Sequence, residues 1–148
     1  MKTKIIASII VLMTLSCIAL YAEDYERCYP VEFSYKMSVK SGKGFSGDNP
    51  SVIKITYKES GYADITLPCF VFSESMTVGS FIINNVNVTI KESGDLLLSL
   101  SDFSSTDGRY DIKGYSLEGC CDDEDITLRV IYKAGKMPFR LTVEYQNN

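Results

Sequence analysis

Val88-Thr-Ile-Lys-Glu-Ser-Gly-Asp-Leu-Leu-Leu-Ser-Leu100 repeats, 33 residues later, the plan of Ile55-Thr-Tyr-Lys-Glu-Ser-Gly-Tyr-Ala-Asp-Ile-Thr-Leu67. In each, an alternating apolar/polar run meets Lys-Glu-Ser-Gly, and a second alternating run leaves. Glu and Ser suit the right-handed positions of a type I turn, and Gly takes the left-handed residue after it. That chemistry predicts a hairpin with a G1-type bulge. Tyr132-Lys-Ala-Gly-Lys-Met137 offers a third version near the C-terminus. Three hairpins of similar build predict a meandering antiparallel sheet.

Working outward by period two gives eight strands. Val31, Phe33, Tyr35, Met37 and Val39 alternate with polar residues ahead of a Gly/Ser/Asn/Pro-rich loop over residues 41–50. Ile53, Ile55 and Tyr57 lead through the first turn to Ala63, Ile65 and Leu67. Pro68 ends that ladder because it has no N–H to donate, and Cys69-Phe-Val-Phe72 continues as an apolar edge. Phe81 and Ile83 sit on one parity, while Val86, Val88 and Ile90 sit on the other, so a bulge or bend is expected at Asn84-Asn85. Leu96, Leu98 and Leu100 follow, then a turn at Thr106-Asp-Gly108 into Tyr110 and Ile112. Ile126, Leu128, Val130 and Tyr132 make the seventh strand; Phe139, Leu141, Val143 and Tyr145 make the last. No stretch after the leader keeps a helical period over three turns, so the chain is all-β.

Opposite the apolar residues lie Lys54, Thr56, Asp64, Thr66, Asn87, Thr89, Arg129 and Glu144. One face is therefore wet and the other dry. Eight strands with a dry face can lose their edges by closing into an antiparallel up-and-down barrel, with two packed sheets as the alternative. The expected interior includes Ile55, Ile65, Val88, Leu98, Leu128 and Leu141. A membrane-spanning barrel would reverse the pattern, apolar outward, and would use longer strands.

Lys2 and Lys4 precede an uncharged run from Ile5 to Ala22, the pattern of a secretory signal peptide. Cleavage after Leu20-Tyr-Ala22 leaves residues 23–148 as one domain. The rival site is Cys17 after Thr14-Leu-Ser16, which resembles a lipoprotein box; only that route would tether the protein to a membrane. Cleavage removes two of the 15 bases and none of the 19 acids, for a side-chain net charge of −6. Without a basic patch, nucleic acid is not an expected partner. Cys28, Cys69, Cys120 and Cys121 remain. In an oxidising compartment four cysteines read as disulfides, with Cys120 and Cys121 each joined to one of Cys28 and Cys69. Zinc is disfavoured because there is no C-x2-C spacing and no His.

The segment Met76-Thr-Val-Gly-Ser-Phe-Ile-Ile-Asn-Asn-Val-Asn-Val88, preceded by two alternating strands and an aromatic cluster, resembles the bacterial calycin-like β-barrel family of secreted proteins. Asp107-Gly-Arg-Tyr110 and the closing hairpin are also similar to it. The resemblance spans about residues 31–146. It implies a lipocalin-type barrel and brings no established activity. The Cys120-Cys-Asp-Asp-Glu-Asp125 stretch departs from the family pattern.

Catalytic chemistry has little to work with. The chain has no His, so the usual triads and the commonest general base are absent, and no phosphate-binding glycine pattern occurs. No enzyme activity and no cofactor are expected. Asp122, Asp123, Glu124 and Asp125 could offer oxygens to calcium, although such runs usually make a solvated, self-repelling loop. Asn87-Val-Thr89 is a glycosylation sequon that matters only in a eukaryotic secretory route. Two readings of function stay open. In the first, the lumen holds a small, neutral, mostly apolar molecule against Tyr57, Phe70, Phe72, Leu98, Tyr110 and Tyr132. In the second, the core is solid and the outer surface binds another macromolecule.

Overall fold

The computed structural model describes residues 25–37, 40–44, 51–58, 61–73 and 76–147, with the side chains of residues 72, 73 and 76 excepted. The leader, with Cys17 and Ala22, lies outside the described residues. Among the described residues eleven strands follow one another: β1 (Tyr25–Met37), β2 (Lys40–Lys43), β3 (Ser51–Lys58), β4 (Tyr62–Leu67), β5 (Phe70–Ser73), β6 (Met76–Val78), β7 (Phe81–Ile90), β8 (Leu96–Thr106), β9 (Asp111–Cys121), β10 (Ile126–Ala134) and β11 (Leu141–Gln146). Strands β1, β3, β4, β7, β8, β9, β10 and β11 pair antiparallel in that order. β11 then returns to β1, with Phe33 opposite Tyr145, so the wall is an eight-stranded closed barrel. β2 lies along the upper half of β1 and β3 along its lower half, sharing one edge. β5 and β6 form a separate hairpin.

The glycines of both Lys-Glu-Ser-Gly segments take the left-handed conformation that their chemistry requires. Gly61 and Gly94 take φ of 79° and 92°, and the second loop closes through Lys91 N–H to the Asp95 carbonyl at 2.8 Å and Gly94 N–H to the Lys91 carbonyl at 2.9 Å. The third differs. Gly135, φ 58°, occupies the first turn position, with Met137 N–H donating to the Ala134 carbonyl, and residues 138–140 intervene before β11. Phe139 is therefore half-buried in a loop, not in the last strand.

Other boundaries also move. β1 starts at Tyr25, six residues before Val31, because Tyr29 belongs to the core. Lys40–Lys43 is strand, not loop. Tyr110 sits in the turn before β9, and Cys120 and Cys121 end β9 rather than opening a loop. Cys69 precedes the strand that begins at Phe70, and that strand leaves the wall instead of extending it.

β9 runs on from Ile112 to Cys121, an extent that Gly114 and Gly119 obscure in the sequence. A Cβ on Gly114 would meet the Phe103 ring at 2.1 Å, and one on Gly119 would meet Leu128 Cδ1 and the Thr127 carbonyl at 2.6 Å. Neighbouring side chains lie across the bare backbone there, filling the space a strand residue normally keeps.

The register holds. Ile55, Ile65, Leu98, Leu128 and Leu141 are buried and Val88 is half-buried, while Lys54, Thr89 and Arg129 are exposed. Large rings fill the interior: Phe33 packs on Phe70 and Tyr145, Tyr35 on Phe70, and Phe81 on Tyr132, at centroid distances of 5.1–5.6 Å. The β5–β6 hairpin inserts Phe70 and Val78, 1% and 0% exposed, into the upper end.

Candidate functional site

The ends of the barrel are closed differently. At the lower end, where the β3–β4 and β7–β8 turns lie, Tyr29 Oη donates to the Asp122 carbonyl at 2.5 Å. The Tyr57 hydroxyl and the Cys121 thiol hydrogen-bond at 3.4 Å. Burial pushes both phenols far above their usual range, and the nearby Cys121 sulfur, whose anion would repel theirs, adds to it. Burial likewise raises the Cys121 thiol, although hydrogen bonds from Tyr57 and Tyr29 pull it partly back. This is a shut, neutral cluster rather than a reactive thiol.

The upper end contains the opening. Pairing of β7 with β8 runs from Ile90↔Leu96 to Asn87↔Ser99 and stops there. Above that point, residues 81–86 of β7 and 100–106 of β8 form no ladder pairs with each other. Two residues cause the parting. Asn85 on β7 has φ 59° and Asp102 on β8 has φ 51°, left-handed conformations that Asn and Asp tolerate better than most residues. Asn85 makes a bulge against β4, whose register shifts between Ala63 and Ile65, while at Asp102 the inward parity of β8 changes with its register to β9 unbroken. Asp64 on β4 fixes the bulge by accepting from Asn85 N–H at 3.1 Å. Near the top, Ser105 Oγ donates to the Ile82 carbonyl at 2.6 Å, a hydroxyl standing where a ladder bond would be.

A groove of about 770 Å³ lies along this parted seam. The buried residues Phe81 and Ile112 line it together with Ile82, which is 46% exposed, and Ser80, Asn84, Ser104, Ser105 and Thr106. Its only charged lining residues are acidic, Asp107 and Asp111. Asp107 is committed to holding the rim. Its Oδ2 accepts from Gly79 N–H at 2.6 Å, and its Oδ1 from Arg109 N–H at 2.8 Å and Tyr110 N–H at 2.6 Å. Partial burial opposes ionisation, but these amide bonds outweigh it and hold the carboxyl below its usual value. The Met76–Val88 segment and the Asp107–Tyr110 turn are thus joined through Gly79. The groove offers hydroxyls, two carboxylates, an apolar floor and unpaired strand edges. That equipment suits recognition.

The lumen residues named from the sequence are not brought around one cavity. Tyr57 belongs to the lower cluster, Leu98 is packed in the middle, Phe70 plugs the upper end, and Tyr110 is half-buried against Gly135. Tyr132 is fully buried behind Phe81, and no hydrogen bond reaches its hydroxyl. Burial raises that phenol, with the nearby Asp107 charge adding to it. The side chain of Phe72 lies outside the described residues. No sequence motif named the groove. The parity slip at Asn84-Asn85 was its readable half; the other half was the jump from Leu96, Leu98 and Leu100 to Phe103.

No disulfide joins the described cysteines. Cys28 faces outward from β1 opposite Lys54, while Cys120 faces outward from β9 opposite Leu97. β10 and β11 lie between those strands. Three strand spacings amount to about 14 Å, against the roughly 7 Å limit a bridge allows between Cα atoms. Cys69 is at the upper end and Cys121 at the lower. Among the described residues, no group of three or more Cys, Asp or Glu side chains is placed to hold a metal ion. The acidic run makes a turn, in which Asp122 Oδ1 accepts from Glu124 N–H at 2.8 Å and Asp125 N–H at 2.7 Å. Asn87 of the sequon is exposed on β7.

A family model described as a calycin-like beta-barrel domain matches residues 34–148. Among solved structures, the chain is similar to a candidate outer membrane protein of Bacteroides fragilis, with a TM-score of 0.69 and 16% identity. The match covers 83% of this chain and 50% of that one, so the chain spans about half the length of that protein. At that identity the likeness concerns the fold. No protein of curated function matches the chain.

Proposed function

The chain belongs to the calycin-like β-barrel family, and from that premise we propose that it is an exported, non-enzymatic binding module that recognises its partner at the groove between β7 and β8. One observation carries this reading. The interior is occupied by the protein's own rings and aliphatic side chains, whereas the groove is open to solvent and reaches down to buried Phe81 and Ile112. At about 770 Å³ it has the size of a ligand site, and its few polar groups can orient what binds. Export rests on the leader-like N-terminus, and the description of the Bacteroides fragilis protein agrees with that route. Cleavage at Ala22 gives a soluble secreted or periplasmic protein; lipidation at Cys17 would anchor it. The mass of the mature N-terminus separates the two.

Amide chemical-shift mapping with a fragment library tests the location. Shifts should gather on residues 80–84 and 104–112. Shifts centred on Ile55, Leu98 and Leu128 would move the site into the lumen.

A lumen site has one observation in its favour, the Tyr132 hydroxyl buried without a hydrogen bond. A neutral ligand carrying a carbonyl would satisfy it. Mass spectrometry of organic extracts from native protein should find no stoichiometric small molecule if the groove is the site.

A further inference from the structure

The parted seam has a property that an ordinary surface groove lacks. β7 is paired on its far side to β4 through Phe81, Ile82 and Ile83, and β8 is paired on its far side to β9 from Phe103 to Thr106. Each therefore presents its other edge, with alternate N–H and C=O groups, toward the seam. Facing strand edges are the complement of one particular chemistry, the backbone of an extended polypeptide. We infer that the groove binds a peptide segment as an added β-strand lodged between β7 and β8. The inference rests on the groove reading above and names the class of ligand for it.

Three observations shape the occupant. A strand between two others needs about 9–10 Å of backbone separation, two spacings of 4.8 Å. The Ser105–Ile82 hydrogen bond holds the edges closer than that, so it acts as a latch that the entering backbone displaces by taking over the Ile82 carbonyl. The left-handed residues Asn85 and Asp102 supply the bends about which the edges part. Alternation then places every second side chain of the ligand over Phe81 and Ile112, which calls for apolar residues on one face. Asp107 and Asp111 are the charged lining residues, so a Lys or Arg in the segment finds a complement at the rim.

The test is selection from a random dodecapeptide library displayed on phage, panned against the mature chain, with the enriched peptides then synthesised. They should alternate apolar and polar residues and carry a base. N-methylation at alternate peptide residues should weaken binding at least tenfold on one parity, because those N–H groups are the ones that bond an edge. Ser105→Ala should bind the same peptides about fivefold more tightly, the equivalent of one hydrogen bond no longer displaced. A merely structural role for Ser105 would not raise affinity. Amide exchange in the complex should slow on both Ile82–Asn84 and Phe103–Thr106. Peptides that tolerate N-methylation at every position would refute strand addition while leaving the groove as a side-chain binding site. Enrichment of no peptide would refute it too, and fragment shifts on the same residues would then assign the groove to small molecules. Concentration-dependent dimers that protect these amides would give the seam to a second copy and overturn the inference.

Discussion

Below Asn87 and Ser99, β7 and β8 pair residue for residue, and Leu96 and Leu98 behind them are buried with unbroken alternation. Above those residues the same two strands separate, Phe103 is only part-buried, and a groove runs along the seam. The backbone chemistry of the two halves is the same. Asn85 and Asp102, one on each strand, make the difference: Asn85 adds a bulge against β4, and at Asp102 the inward parity of β8 changes, so both left-handed residues redirect their strands at the point where the pairing stops. A closed barrel thus gains a local edge without losing closure, since the other strand pairs and the lower half of this one keep the wall continuous.

Substitutions in the two halves should differ most where side chains are buried. Leu98→Ala removes a side chain 1% exposed from the sealed half and should cost about 2–5 kcal/mol. Phe103→Ala, in the parted half, should cost less, about 1–2 kcal/mol, because its ring is already part-exposed. Urea unfolding midpoints measure both, and equal losses would mean the upper half is packed as tightly as the lower.

The glycines of β9 repeat the contrast on a smaller scale. Ala at Gly119 meets the Thr127 carbonyl, which cannot move without shifting β10, and should cost about 3 kcal/mol. Ala at Gly114 first meets the outer atoms of the Phe103 ring, a part-buried side chain that can shift without moving backbone, and should cost about 1 kcal/mol. The reverse order in thermal melts would place Phe103 in a rigid core.

The buried tyrosines compare the two ends. Tyr29→Phe loses the bond to the Asp122 carbonyl and should cost about 1 kcal/mol. Tyr132→Phe removes a hydroxyl that has no hydrogen-bond partner and should leave stability unchanged or raise it by up to about 1 kcal/mol. A loss at Tyr132 equal to that at Tyr29 would reveal a partner, in water or a ligand. Tyr29, Tyr57, Tyr132 and Tyr145 all have folded-state values above that of a free phenol. The stability they contribute is complete below about pH 10 and is lost as pH rises further.

Asp107 gives the smallest effect and the opposite sign. Its folded-state value is depressed, so its contribution is present above about pH 4 and lost as pH falls through the folded value. Asp107→Asn should flatten the acid limb of the stability profile. An unchanged limb would show that the Gly79, Arg109 and Tyr110 amides do not depend on the charge.

Much of the sealed half could be read from sequence. Glycines at left-handed turn positions and strict alternation at Ile53–Leu67 and Val88–Leu100 encode hairpins directly, because side-chain period and turn chemistry are local properties. The bulge at Asn84-Asn85 was legible for the same reason. The change of parity between Leu100 and Phe103 was also encoded, but only the pairing of β7 with β8 shows that the two irregularities face one seam. The extent of β9 beyond Ile112 was hidden because Gly114 and Gly119 serve neighbouring rings and backbone rather than their own strand. The disulfide expectation counted thiols, and a count carries no information about which strands separate Cys28 from Cys120.

Residue-resolved amide exchange along β8 tests the parted seam most directly. From Leu97 to Ser99 the strand has β7 on one side and β9 on the other, so every amide should be protected. From Phe103 to Ser105 only β9 remains, and alternate amides, those turned toward the seam, should exchange orders of magnitude faster than their neighbours. Uniform slow exchange from Leu97 through Ser105 would contradict the account, because the seam would then be closed in solution.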